Sequence, residues 1–82
     1  MTTENIVKVI VTIIGEVLPQ LNVNDIRASD RLEALGANSI DRAEIVMMTL
    51  ESLNLKIPLT EVSGPKNIGE LAELLNVKLQ SA

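Results

Sequence analysis

Three apolar segments with helical spacing, separated by prolines and glycines, constrain the fold of this chain more than any other feature. In residues 3–18, polar side chains recur at Glu4, Lys8, Thr12 and Glu16. This spacing is typical of one face of a helix, and Pro19 ends the segment. The β-branched run IVKVIVTII would also suit a strand, but its length and its polar stripe favour a helix. We therefore predict a helix over residues 3–18 with Thr3 as its N-cap.

The rest of the chain predicts two more long helices. One spans residues 39–53, before Pro58, and the other spans residues 67–79. The apolar face of the last helix consists of Ile68, Leu71, Leu74, Leu75 and Leu79. The loop 19–38 contains a possible short helical turn at 29–35, ended by a left-handed Gly36, and residues 59–64 form one short turn. We predict an all-α, small antiparallel helical bundle of three main helices plus one short helix, with a long first loop, in a single domain of residues 1–82.

Ser39 begins the second predicted helix, directly after Gly36-Ala37-Asn38. Asn38 is a good N-cap, and Asp41 can return a hydrogen bond to it as in a capping box. In that arrangement the Ser39 hydroxyl is not needed by the helix. Because Ser is itself a leading N-cap residue, the local sequence supports a capping Ser39 equally well.

Catalysis is not indicated at Ser39 or elsewhere. A serine nucleophile needs a base such as His or a paired Lys. The chain has no His, and the nearest lysine, Lys56, lies beyond the helix. Zinc sites mostly need Cys or His, and the four glycines are too scattered for a phosphate loop. We expect no enzyme activity, no catalytic residue and no bound metal.

The net charge of −4 and the lack of Phe, Tyr and Trp argue against nucleic-acid binding, which needs a basic surface. An acidic surface favours basic partner patches, although the charge alone would serve to keep a small domain in solution. The apolar run 6–14 is interrupted by Lys8 and Thr12 and is too short to span a bilayer. We expect a soluble, cytoplasmic monomer that binds neither nucleic acid nor membrane.

A free serine at a helix N-terminus suits a phosphate group, because the first backbone N–H groups and the helix dipole attract anions. The stretch LEALGANSIDRAEIVMMTLESLNLKIP resembles the acyl carrier proteins, whose Gly-x-Asp-Ser-Leu motif bears 4′-phosphopantetheine on its serine. The resemblance also covers the first and last helices. It implies that a phosphopantetheinyl transferase attaches this group, taken from coenzyme A, to Ser39. Asn38 and Ile40 stand where the family usually has Asp and Leu, so one charge that a transferase could read is missing.

The pattern NSIDRAEIVMMTLESLNLKIP followed by KNIGELAELL is similar to a narrower group, the discrete carriers of polyketide synthase β-branching cassettes. This resemblance implies loading with malonyl by a malonyl acyltransferase and conversion to acetyl by a decarboxylating ketosynthase-like enzyme. Acetyl would then pass to a hydroxymethylglutaryl-synthase-like enzyme. Two alternatives stay open: a general fatty-acid or polyketide carrier, and a non-covalent helical interaction module in which Ser39 only caps.

The second helix carries the candidate partner-binding residues. At about 100° per residue, an apolar stripe joins Ile40, Ala43, Met47 and Leu50. Periodicity does not say which side faces the core. The resemblance turns Ile45, Val46, Thr49 and Leu53 inward. It directs Ile40, Ala43 and Met47 towards partners, flanked by Asp41, Arg42, Glu44 and Glu51. Met47 and Met48 would also serve as core residues, and Met48 is left undecided. Arg42 differs from the acidic second helix of fatty-acid carriers and would select a partner with an acidic counterpart.

Overall fold

The computed structural model describes residues 1–81. It contains three α-helices, α1 (Thr3–Val17), α2 (Ser39–Ser52) and α3 (Ile68–Ser81). Three short 3₁₀ turns lie between them, at Val23–Asp25, Glu33–Leu35 and Leu59–Val62. The described part of the chain has no strand, so the all-α prediction is confirmed. No helix within residues 1–81 is long and apolar enough to cross a membrane.

The hydrophobic core forms around α1, which packs against both α2 and α3. The buried residues of α1 are Ile6, Ile10, Ile13 and Ile14, and those of α3 are Ile68, Leu71, Ala72 and Leu75. Each fully buried isoleucine or leucine contributes roughly 1.5–3 kcal/mol relative to an exposed one. Because apolar residues recur every three or four positions in both helices, they form the continuous faces that this packing buries.

The start of α1 differs by one residue from the sequence prediction. Thr2, not Thr3, is the N-cap, because Thr2 has an extended backbone (φ −88°, ψ 159°) and its side chain accepts the Asn5 N–H at 3.1 Å. Thr3 is already helical, and its Oγ1 accepts a hydrogen bond from Asn76 Nδ2 of α3 at 3.2 Å. At the other end, α1 stops at Val17, with Leu18 as the C-cap before Pro19.

The ends of α2 and α3 follow from local capping. After α2, Leu53 is the C-cap, and Asn54 takes the left-handed conformation (φ 56°). The Leu55 N–H then bonds the Leu50 carbonyl at 2.9 Å, which closes the last turn. The helix α3 begins at Ile68, one residue later than predicted, because the Asn67 side chain caps it by accepting the Glu70 N–H at 2.8 Å.

The long first loop is fixed at two places. The Val23–Asp25 turn, which the sequence did not predict, packs so closely on α1 that a Cβ added at Gly15 would lie 2.6 Å from Val23 Cγ1. Further along, the Ile68 N–H donates to the Asp30 carbonyl at 3.0 Å, so the loop is bonded to the start of α3. Of the predicted helical turn 29–35, only Glu33–Leu35 is helical. Gly36 is left-handed (φ 96°) as predicted, and the chain then turns into α2.

Candidate functional site

The N-terminus of α2 is capped by Asn38. Its Oδ1 accepts the Asp41 N–H at 2.8 Å, and Asp41 Oδ2 accepts the Asn38 N–H at 3.2 Å. Asn38 has the extended backbone of a cap (φ −77°, ψ −179°), whereas Ser39 is the first helical residue. The capping box is therefore confirmed, and the alternative in which Ser39 caps the helix is wrong.

Ser39 is exposed at the positive end of α2. Among residues 1–81, no hydrogen-bond partner is found for its hydroxyl, nor an acceptor for the N–H groups of Ser39 and Ile40. These two N–H groups precede the capped Asp41, so they point out of the helix end unused. A hydroxyl beside free N–H groups at a helix N-terminus is well suited to bear a phosphodiester.

A shallow depression of about 480 Å³ lies beside Ser39 along the outside of α2. We call this surface the outer face of α2. It is formed by Ser39, Ile40, Ala43, Glu44, Met47, Met48 and Glu51. Ile40 is 73% exposed and Met47 is 50% exposed. Because both line the same depression, they form an exposed apolar patch, which is the kind of surface that marks interaction sites. Met48 is half-buried and packs against the core at the edge of this face.

The inward residues of α2 lie where the family resemblance implied. Ile45, Thr49 and Leu53 are buried, and Val46 is half-buried. The Thr49 hydroxyl is fully buried and donates a hydrogen bond to the Ile45 carbonyl at 2.7 Å, so this buried donor is paired. Leu50 shares an apolar stripe with Met47 in the sequence, yet it is only 6% exposed.

Two of the candidate partner residues lie apart from the outer face. The Asp41 carboxylate belongs to the capping box. The Arg42 guanidinium donates from Nη1 to the Ala37 carbonyl at 3.0 Å and lies on the other flank of α2. The structure thus brings Ile40, Ala43, Glu44, Met47 and Glu51 together beside Ser39, and it separates Asp41 and Arg42 from them.

Arg42 lines a second depression, of about 420 Å³, between α2 and α3. We call it the α2–α3 cleft. Leu71 of α3 forms another wall. The remaining walls come from the first loop and the segment after α2, and include Leu32, Leu59, Val62 and Lys66. Sequence reasoning missed these residues. They are far apart along the chain, and no local pattern joins them.

A comparison with known protein families matches residues 8–75 to the family described as "Phosphopantetheine attachment site". The match spans all of α2 and most of α1, and it includes Ser39. The chain belongs to the acyl carrier protein family. As a member of that family it bears a covalently attached phosphopantetheine.

Two relatives extend this assignment. The carrier protein is 55% identical, over the whole of both chains, to the polyketide biosynthesis acyl-carrier-protein AcpK of Bacillus subtilis (strain 168). It also superimposes with a TM-score of 0.89, at 43% identity, on a chain in the crystal structure of the curacin biosynthetic pathway HMG synthase in complex with acetyl donor-ACP. That match covers 94% of this chain and 99% of the other. The bundle predicted from the sequence is therefore the acyl carrier fold.

Proposed function

We propose that Ser39 is the attachment residue for 4′-phosphopantetheine and that the protein delivers acetyl groups in polyketide β-branching. The assignment of Ser39 rests on the hydrogen bonding at the start of α2. The Ser39 hydroxyl and the N–H groups of Ser39 and Ile40 have no partner within residues 1–81, because Asn38 has taken over the capping. When attached, the prosthetic group supplies a thiol on which acyl groups are carried as thioesters.

The residues around Ser39 hold the phosphodiester of the arm in place and take no part in forming the bond to it. The backbone N–H groups would bind the phosphodiester oxygens, and the helix dipole adds a favourable interaction of about 0.3–1 kcal/mol at an exposed end. The chain contains no His, so the transferase must supply the base that takes the Ser39 proton. Asp41 is held in the capping box, which leaves it poorly placed to serve as that base.

The second part of the proposal rests on the two relatives, one named for polyketide biosynthesis and the other seen with an HMG synthase. The outer face of α2 is the surface we assign to the partner. Ile40 and Met47 offer exposed apolar contact area, and Met adapts well to a partner's shape. Glu44 and Glu51 add negative charge at the rim. The HMG-synthase-like partner should therefore present an apolar patch edged with basic residues.

The remaining partners of the proposed cycle are a phosphopantetheinyl transferase, a malonyl acyltransferase and a decarboxylating ketosynthase-like enzyme. Each of these enzymes must reach the arm on Ser39. We propose that residues 1–82 form one carrier domain, which presents the arm to them and catalyses no reaction of its own. A general fatty-acid or polyketide carrier is the competing function. It would share Ser39 and the cofactor but not the acetyl-receiving partner.

Intact-mass measurement tests the attachment site. The protein is incubated with a promiscuous phosphopantetheinyl transferase and coenzyme A. Wild type should gain the mass of one phosphopantetheine, and Ser39→Ala should gain none. Ser52→Ala is the matched control, since Ser52 is an exposed serine at the other end of the same helix, and it should be modified like wild type. Modification of Ser39→Ala would contradict the assignment.

Acetyl transfer tests the second part. Acetyl-loaded wild type is mixed with an HMG-synthase-like enzyme of a β-branching cassette, and acetylation of the enzyme is followed. A fatty-acid carrier protein loaded in the same way is the comparison. We expect this protein to be the much better donor. Equal donation by the fatty-acid carrier would favour the general-carrier function instead.

A further inference from the structure

The side-chain amide of Asn38 uses only part of its hydrogen-bonding capacity. Its Oδ1 accepts the Asp41 N–H at 2.8 Å. The same amide carries N–H donors on Nδ2, and within residues 1–81 no acceptor is found for them. Because only the oxygen can accept an N–H, the bond to Asp41 fixes the orientation of the amide. The Nδ2 donors are therefore held exposed on the residue directly before Ser39.

Helix capping alone does not explain an asparagine at this position. An aspartate would accept the same Asp41 N–H, and its charge would interact favourably with the positive end of α2. Asn38 lacks that charge. What it has, and an aspartate at neutral pH lacks, is the pair of Nδ2 donors. The residue type therefore points to a group beside Ser39 that accepts hydrogen bonds.

The phosphopantetheine that this family bears supplies such an acceptor. It is joined to its serine through a phosphodiester, an anion whose free oxygens accept hydrogen bonds. On Ser39 it would lie next to the residue that carries the Nδ2 donors and beside the unused N–H groups of Ser39 and Ile40. Helix N-termini bind anions readily. The donors at the start of α2 therefore fit the group.

Negative charge around Ser39 is low. Asp41 is the acidic residue of the first turn of α2, and its carboxylate accepts the Asn38 N–H at 3.2 Å. An aspartate at position 38 would place a second carboxylate beside the phosphodiester, and like charges at short distance repel each other. The neutral Asn38 avoids this repulsion and offers a donor instead.

We propose that Asn38 holds the arm in place, because its Nδ2–H donates a hydrogen bond to a phosphodiester oxygen of the phosphopantetheine on Ser39. This inference rests on the proposed attachment at Ser39. The amide then has two functions, since Oδ1 caps α2 and Nδ2 binds the first group of the arm. The hydrogen bond limits rotation about the Ser39 side chain, so the arm leaves the helix in a restricted range of directions.

NMR of the isotope-labelled protein tests the hydrogen bond. Spectra are recorded without the arm and after complete modification by a promiscuous transferase and coenzyme A. We expect the Asn38 side-chain amide hydrogens to shift downfield on attachment and to exchange more slowly with water. Asn22 is the internal control, since its Oδ1 also accepts a backbone N–H, from Asn24 at 3.0 Å, and it lines neither depression. An Asn38 amide that changes no more than that of Asn22 would overturn the proposal.

Aspartate variants test the same contact through stability. Asn38→Asp keeps the cap but replaces the Nδ2 donors by a charged oxygen. Attachment of the arm should therefore raise Tm less, or lower it more, in Asn38→Asp than in wild type. Asn22→Asp is the matched change, because Asn22 caps a turn and has an aspartate three residues later, as Asn38 does. Val23 follows it, so its response to attachment should equal that of wild type. An equal response in Asn38→Asp would contradict the contact.

Phosphorus NMR gives a readout from the arm itself. The phosphodiester gives a single signal, whose line width reports its mobility. Asn38→Asp should narrow this line relative to wild type, because the phosphodiester loses a hydrogen bond, and Asn22→Asp should leave it unchanged. A line equally broad in both variants would show that Asn38 does not hold the phosphodiester.

Intact mass separates this proposal from the proposed function. If wild type is modified and Ser39→Ala is not, but the Asn38 amide is unaffected by the arm, only the role of Asn38 is wrong. If wild type gains no mass, or if Ser39→Ala gains it too, the attachment at Ser39 fails and the role of Asn38 fails with it.

Discussion

Arg42 of α2 donates a hydrogen bond from its guanidinium to the carbonyl oxygen of Ala37, at 3.0 Å. Ala37 is buried and Arg42 is half-buried, so this bond lies at the junction between the first loop and the helix that presents Ser39. From the sequence, Arg42 is expected to select a partner. The hydrogen bond adds a second role for Arg42, which is to hold the first loop in place beside Ser39.

Arg42→Glu should therefore lower stability as well as acetyl delivery. The change removes the bond and places a carboxylate towards a carbonyl oxygen. A hydrogen bond from a charged donor contributes about 1.5–3 kcal/mol. For the half-buried Arg42 we take the lower end, about 1.5 kcal/mol, which corresponds to a fall in Tm of roughly 6–12 °C for a domain of this size. Thermal melting measures it. Lys56→Glu is the matched charge reversal at an exposed site. If Arg42→Glu and Lys56→Glu have the same Tm, the hydrogen bond from Arg42 to Ala37 does not stabilise the fold.

Asn38→Ala should destabilise the start of α2. The substitution removes the acceptor of the Asp41 N–H and breaks the capping box. Loss of such a cap costs about 0.5–2 kcal/mol. Asn38→Asp should keep the cap and add a favourable charge at the helix N-terminus, so its Tm should equal or exceed that of wild type. Equal melting of Asn38→Ala and wild type would show that the capping box does not stabilise the fold.

Gly15→Ala should fail to give the stabilisation of roughly 1 kcal/mol that Ala gains over Gly inside a helix. The new Cβ would meet Val23 Cγ1 at 2.6 Å and displace the Val23–Asp25 turn. The gain should appear when Gly15→Ala is made in a Val23→Ala background. A double-mutant cycle on denaturant midpoints measures this coupling. Gly64→Ala, where no atom lies within 4 Å of the new Cβ, is the control. Additive effects at Gly15 and Val23 would contradict the predicted contact.

Met47→Ala should weaken acetyl delivery to the HMG-synthase-like enzyme several-fold and leave Tm nearly unchanged. Met47 is 50% exposed, so its truncation costs the isolated bundle little, but it removes apolar contact at the centre of the outer face of α2. Val77→Ala is the control, because Val77 is 58% exposed on α3, away from that face. If the two variants deliver acetyl equally well, the partner docks elsewhere.

The sequence by itself determined where the long helices lie and how α2 begins. Pro19, Gly36 and the Asn38-to-Asp41 spacing act over a few residues, so their effect does not depend on the rest of the fold. Errors at the ends were of one or two residues. Thr2 and Thr3 are equivalent caps in the sequence, and only the backbone conformation distinguishes them. The motif around Ser39 is also local, so the sequence alone was enough to indicate Ser39 as the residue we propose for attachment.

Only the tertiary structure decided which side chains are covered and which meet. Met47 and Leu50 lie on one stripe of α2, yet Met47 is half exposed and Leu50 is buried. The chain after α2 turns back on Leu50, where the Leu55 N–H bonds the Leu50 carbonyl. Arg42 bonds Ala37 and joins Lys66 in the α2–α3 cleft. Such contacts depend on how α2, α3 and the loops pack, a long-range outcome of burying apolar surface that no short sequence pattern encodes.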